Sequence, residues 1–179
     1  AEMEAGTEAA LRSMSPLRVA QAIDALSPPS RTYKSFTAAS GTQIDFTGIP
    51  TTATKITIIF ENLSTNGVSN LLVQIGDSGG IENTGYVSTA HSGGTSANST
   101  SGFICTYTNS APNASNGIIE LHRLSPSSQS WIMSGQALSL SSTVTSSVGI
   151  KTLSADLDRL AIYAGGDTFD GGGVNVVYE

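Results

Sequence analysis

Two runs decide the fold: Thr54-Lys55-Ile56-Thr57-Ile58-Ile59-Phe60-Glu61-Asn62, then, past Asn66-Gly67, Asn70-Leu71-Leu72-Val73-Gln74-Ile75-Gly76. The first is dense in β-branched residues, which pack well on a pleated surface and mark a strand. Asn66-Gly67 is a hairpin signal, because both residue types tolerate positive φ. The second run then reads as the returning strand. Asp77-Ser78-Gly79-Gly80 turns the chain again, into a strand around Tyr86.

Outward from this pair the same pattern repeats. Phe103 to Thr108 reads as a strand, and Asn116-Gly117 marks a turn into Ile118 to Leu124. Ser130 to Gly135, Ala137 to Leu140, Ser147 to Leu153, Arg159 to Tyr163 and Val174 to Tyr178 follow. Roughly ten short strands with turns at regular intervals predict an all-β, antiparallel β-sandwich or jelly-roll-like domain. No helical pattern separates the runs, which excludes parallel βαβ units.

Only the start of the chain has a helical signal. Ser15 suits an N-cap and Pro16 the first helical position, where no N–H is needed. Pro28-Pro29 stops the helix near Leu26. The chain therefore divides near Ser27 to Arg31: a neck segment with a short helix and Pro-rich linker over 1–31, and a sandwich over 32–179. Three turns of helix are marginal alone in water, so Leu17, Val19, Ile23 and Leu26 need a packing partner.

Charged residues make up 12% of the chain, about half the usual share, so solubility rests on Ser, Thr and Asn. The formal net charge of −6 and the scattered basic residues argue against nucleic acid and against an anionic membrane surface. No stretch approaches the roughly 18 apolar residues of a membrane span, so no membrane insertion is expected. The first residues are acidic and lack the apolar core of a secretory signal. The chain begins without Met, which suggests a piece from the C-terminal end of a longer protein. Cys105 is the only cysteine; it excludes an intrachain disulfide and reads as a small buried hydrophobe.

Met14-Ser15-Pro16-Leu17-Arg18-Val19, preceded by Gly6-Thr7, resembles the short neck helix before the tip of bacteriophage tail fibres. Further landmarks run in order along the rest of the chain: Thr47-Gly48-Ile49-Pro50, Asn70 to Asp77, Thr84-Gly85-Tyr86, Trp131 with Ser134-Gly135, Leu157-Asp158-Arg159-Leu160, and Asp167-Thr168-Phe169-Asp170 leading to Asn175-Val176-Val177-Tyr178-Glu179. Together they are similar to the C-terminal receptor-binding tip domain of a tail fibre protein. That resemblance implies a parallel homotrimer in the virion, outside the cell and joined to the rest of the fibre shaft. It also implies a non-enzymatic tip that binds a host bacterial surface receptor, a polysaccharide, for adsorption. A capsular polysaccharide depolymerase tip and a purely structural trimerisation cap are the alternatives. The long repeated β-helix usual in such depolymerases has no counterpart here.

The residues that could carry chemistry read mostly as structure. A glycosidase needs two carboxylates about 5 to 9.5 Å apart across the sugar bond. Asp156 with Asp158, and Asp167 with Asp170 before Gly171-Gly172-Gly173, are candidates, but Asp and Gly there also suit turns. No EF-hand spacing supports calcium, and His91 and His122 without a supporting cluster do not make a zinc site. Serine lacks a nucleophile elbow. No catalytic residue, cofactor or metal is expected. His122 shares the polar face of its strand with Glu120, and Trp131 reads as core. Receptor contact is expected on two polar loops, Thr89 to Ser101 and Asn109 to Asn116. Their hydroxyls and amides donate and accept at once, as sugar hydroxyls require. Tyr86, His91 and Tyr107 would supply stacking faces, and Asn98, Asn109 and Asn113 polar contacts.

Overall fold

The computed structural model describes residues 15–26, 32–37, 41–107, 111, 114–139 and 143–179. The chain divides into two compact units, Ala1–Ser30 and Arg31–Glu179. In the first, α1 (Pro16–Leu26) begins as its sequence requires. The Ser15 hydroxyl accepts from the Arg18 N–H at 3.4 Å and the Ser15 carbonyl from Val19 at 3.1 Å. Leu17 and Val19 are exposed.

The second unit is an all-β sandwich. Its strands are β1 (Thr32–Thr37), β2 (Gln43–Thr47), β3 (Lys55–Thr65), β4 (Leu71–Asp77), β5 (Gly80–Ile81), β6 (Val87–Ser92), β7 (Thr95–Ser99), β8 (Phe103–Thr106), β9 (Ser115–Arg123), β10 (Ser130–Ser139), β11 (Val144–Thr152), β12 (Arg159–Tyr163) and β13 (Phe169–Tyr178). One sheet of eight strands runs β1-β13-β3-β9-β10-β11-β6-β7; the other runs β2-β12-β4-β5, with β8 also paired to β4. Every pairing is antiparallel.

Strand alternation builds the core. On β3, Ile56, Ile58 and Phe60 face inward; Leu121 and Ile119 of β9 are the register partners of Ile56 and Ile58. Val73 and Ile75 of β4, Leu160 and Ile162 of β12, and Phe103 of β8 close the core from the second sheet. Trp131 lies at its centre, 1% exposed. Cys105 is buried there too, and loss of solvation pushes its thiol up to about 12, so the small-hydrophobe reading holds.

Several local expectations are corrected. Asn66-Gly67 is not a hairpin, because β3 and β4 belong to different sheets and the segment between them crosses the sandwich. Neither residue has positive φ. The crossing is pinned to the 167–168 turn instead: Asn66 donates its N–H to the Thr168 carbonyl at 3.0 Å and accepts from the Thr168 N–H at 2.9 Å. The Asp167 carboxylate fills the space a Gly67 side chain would need and accepts from the Ser69 N–H at 2.7 Å.

Asn116-Gly117 is likewise no turn but part of β9. An added Cβ on Gly117 would strike the Phe60 ring and the Gln136 carbonyl, so the glycine makes room for the ring. Opposite it, β3 bulges between Phe60 and Leu63, with Asn62 at φ 51° and its N–H on the Asn116 side chain at 2.9 Å. The expected runs Ser130 to Gly135 and Ala137 to Leu140 join in one strand, β10, which is described to Ser139; Leu140 lies outside the described residues. Asp77 to Gly80 does turn the chain: Asp77 pairs with Gly80, and its carboxylate accepts from the Gly79 N–H at 2.8 Å.

Candidate functional site

The register places the loops at two ends of the sandwich. Thr32 lies opposite Tyr178, and Thr54 and Lys55 donate to the Glu179 carbonyl. Both chain ends of the β unit therefore share one end, called proximal here. At the other, distal end lie the β6–β7 turn, Tyr107 after β8, the start of β9 at Ser115, and the β10 and β11 ends at Ser139 and Val144. The β6–β7 turn and the start of β11 come together: Ser92 is opposite Thr145, and an added Gly93 Cβ would touch the Thr143 side chain. Thr145 also accepts from the Tyr107 N–H and donates to its carbonyl, both at 3.4 Å.

The expected loop from Thr89 to Ser101 is a hairpin with a tight turn. β6 and β7 pair from Ser88↔Ser99 to Ser92↔Thr95, and Gly93 and Gly94 both adopt positive φ, 56° and 85°. Polar residues conceal this strand pair because it is the sheet edge and its outer side faces solvent. His91 and Asn98 lie diagonally on that outer face, both exposed. Asn98 meets Thr89 at 2.8 Å, and His91 sits between Ser96 and Ser146 in register.

The other expected contact residues do not join them. Tyr86 is a core residue, 1% exposed, so it offers no surface stacking face. Its hydroxyl accepts from the Ile75 N–H at 2.8 Å and contacts the Ile75 and Glu82 carbonyls; its ring packs edge-on against Phe103 at 4.9 Å. Burial pushes its phenol well above the ordinary value. Tyr107 is half-buried against a small cluster of Leu72, Ala90 and Ile104. Asn109 and Asn113 lie outside the described residues.

Each candidate carboxylate has a local partner. Asp156 pairs with Arg123; Asp158 holds the Arg159 guanidinium with contacts of 2.7 and 3.2 Å. Asp167 clamps the crossing described above, and Asp170 accepts from the Ser64 hydroxyl at 2.5 Å. Gly171-Gly172-Gly173 is a bulged stretch of β13, not a turn. Hydrogen bonds from Ser154 and Gly79 hold Asp77 below the ordinary carboxylate range. Burial raises Glu82, but its hydrogen bonds with Lys151 and Ser154 outweigh that and keep it low. A general acid for glycoside cleavage needs the opposite shift. His122 contacts Glu120 at 3.4 Å on the solvent face, beside the Lys55–Glu120 pair at 2.6 Å. Among the described residues, no three His, Cys, Asp or Glu side chains are grouped to hold a metal ion.

One concave feature escaped the sequence reading. At the proximal end a cleft of about 380 Å³ is lined by Thr51, Thr52, Thr54, Pro126, Ser127 and Gln129, with the Arg123–Asp156 pair at its wall. Arg123 also donates to the Ser128 carbonyl at 2.6 Å and the Thr51 carbonyl at 2.8 Å. Three loops distant in sequence build the cleft, so no local motif signals it. No helix among the described residues is long and apolar enough to cross a membrane.

No protein-family model matches the chain, and no curated protein matches it.

Proposed function

We propose that this chain is the receptor-binding tip of a bacteriophage tail fibre. In this reading it is a homotrimeric, non-enzymatic attachment module of the virion, joined to the fibre shaft, that binds a bacterial surface glycan. The observation that carries the reading is the polarity of the sandwich. Both ends of its chain leave from the proximal end, so a shaft attached there would leave the distal loops free to meet a cell. Those loops are rich in Ser, Thr and Asn, whose hydroxyls and amides match sugar hydroxyls. They rest on a rigid scaffold, where binding residues commonly sit. The ordered motifs shared with tail-fibre tips point the same way. Weak contacts repeated over three copies and several fibres would combine into firm adsorption.

The test is adsorption of the labelled full chain to bacterial cells of the suspected host, before and after periodate oxidation of their surface glycans. Replacing residues 108–114 by a short Gly-Ser turn, together with His91→Ala and Asn98→Ala, should lower adsorption and leave melting unchanged. Unchanged adsorption would move the contact elsewhere, the proximal cleft first. Release of reducing ends from host capsule would overturn the non-enzymatic reading in favour of a depolymerase.

A further inference from the structure

We propose that the outer face of the eight-stranded sheet is the surface by which copies of this chain bind one another. Of the twelve large apolar side chains exposed among the described residues, eight point outward from this one face. The register groups them. Val87, Ile150 and Ile132 form one row across β6, β11 and β10, with Val148 next to it along β11. Two further pairs, Leu138 opposite Val144 and Ile118 opposite Ile59, lie on the same face beyond the outward Ser134, Gln136 and Ser146. Val87 is 68% exposed and Val148 56%. An exposed apolar cluster edged by polar side chains marks an interaction site.

Charge selects the occupant. The outward positions of β6, β10 and β11 carry no Asp, Glu, Lys or Arg. On β3 and β9 the face also carries Lys55 and Glu120, which neutralise each other, and Glu61, exposed two residues beyond Ile59. An acidic or basic partner would find nothing to pair with over β6, β10 and β11. A second copy of a chain with net charge −6 would meet little like charge over those strands, with Glu61 at the far side of the face and Glu120 already paired. Size agrees. Five strands about 4.8 Å apart and about nine residues long at roughly 3.3 Å per residue cover roughly 700 Å². One side of a standard protein–protein interface is about 800 Å². The apolar side chains themselves suit a glycan poorly, because they offer no donor or acceptor; His91 at the distal end of β6 and Asn98 on the edge strand β7 lie at the rim of this face, where a receptor still reaches them. The inference takes from the proposed function only that copies assemble, and adds where they touch.

The test needs no host cell, so equal labelling or an assembling lysine variant leaves the attachment reading standing, and a monomeric wild type removes its homotrimer but not receptor binding. In the full chain, Ile150→Cys and Val68→Cys are compared; Val68 lies in the crossing loop, off the face, at 68% exposure. The native Cys105 is buried and stays silent. In the assembled protein, maleimide should label the Val68 variant at least tenfold faster than the Ile150 variant, and guanidinium should abolish the difference. Val148→Lys with Ile150→Lys should yield a folded monomer by light scattering, since exposed positions tolerate the change. A monomeric wild type, equal labelling, or a lysine variant that assembles like wild type would each overturn the proposal.

Discussion

Lys151 points into the sandwich from β11, opposite Trp131, and is 6% exposed. Its ammonium is neutralised by Glu82 at 2.5 Å and lies 5.3 Å from the centre of the Tyr86 ring. Removing one partner of such a pair is asymmetric. Glu82→Gln keeps the shape but strands a buried cation, at a cost of about 3 kcal/mol. Lys151→Met leaves Glu82 with its Ser154 N–H at 2.9 Å and an apolar chain beside Trp131, so it should cost clearly less. Denaturant midpoints of the two variants check the order. Gly135 makes a second case. An added Cβ would fall 2.8 Å from the Ile118 carbonyl and 3.0 Å from the Ile119 Cα. Those are backbone atoms that cannot swing away, so Gly135→Ala should destabilise by about 1–3 kcal/mol through overpacking. Gly94→Ala meets nothing within 4 Å and should cost only its positive-φ strain, about 1 kcal/mol. Acid dependence follows from Asp77, Glu82 and Glu120, all held low in the fold. A carboxyl depressed by folding contributes stability that is full above its unfolded pKa and is lost as pH falls through the folded one. Melting temperature should therefore be flat above about pH 5 and fall below about pH 4. Asp77→Asn should shallow that fall, and a slope unchanged by the substitution would remove Asp77 from the account.

At the scale of elements, strands with buried faces were legible and their partners were not. β3 was readable from its β-branched alternation and β4 from a short apolar run bounded by turn residues, both local properties. Whether they pair depends on contacts a hundred residues away: the link between them is held by Thr168 and by Asp167, whose carboxylate reaches across the molecule to the Ser69 N–H rather than capping its own turn. Asn66-Gly67 kept the composition of a hairpin while the 167–168 turn supplied the bonds that made it a crossing. β7 was hidden for a different reason. Thr95–Ser99 buries little, so it carries no hydrophobic period, and only its pairing with β6 defines it. For that reason the polar run from Thr89 to Ser101 reads as a loop, while His91 and Asn98 are exposed on a sheet face. Tyr86 is expected to offer a stacking face and is instead buried in the core, because nothing local distinguishes the two. The Asp167 clamp is testable. Asp167→Ala leaves the Ser69 N–H without its acceptor and opens a void beside Gly67, so it should cost about 1–3 kcal/mol. Asp167→Asn retains an acceptor and should recover most of that loss in the same unfolding measurement.

At the scale of the whole molecule, the two units differ in what they need from a partner. The Arg31–Glu179 unit has its own core, drawn from Ile44 to Tyr178. An 11-residue helix has none, and is marginal in water by itself. If the sheet face joins the copies, assembly should not depend on the helix. Deleting residues 1–30 should then leave an oligomer that melts cooperatively. Association stabilises by mass action, so its melting temperature should rise with protein concentration, by a few degrees over a hundredfold range. The full chain should show the same dependence. If instead the truncated chain is a monomer with a concentration-independent melt, the neck alone holds the copies. The apolar outer face would then have to be covered by something other than this chain.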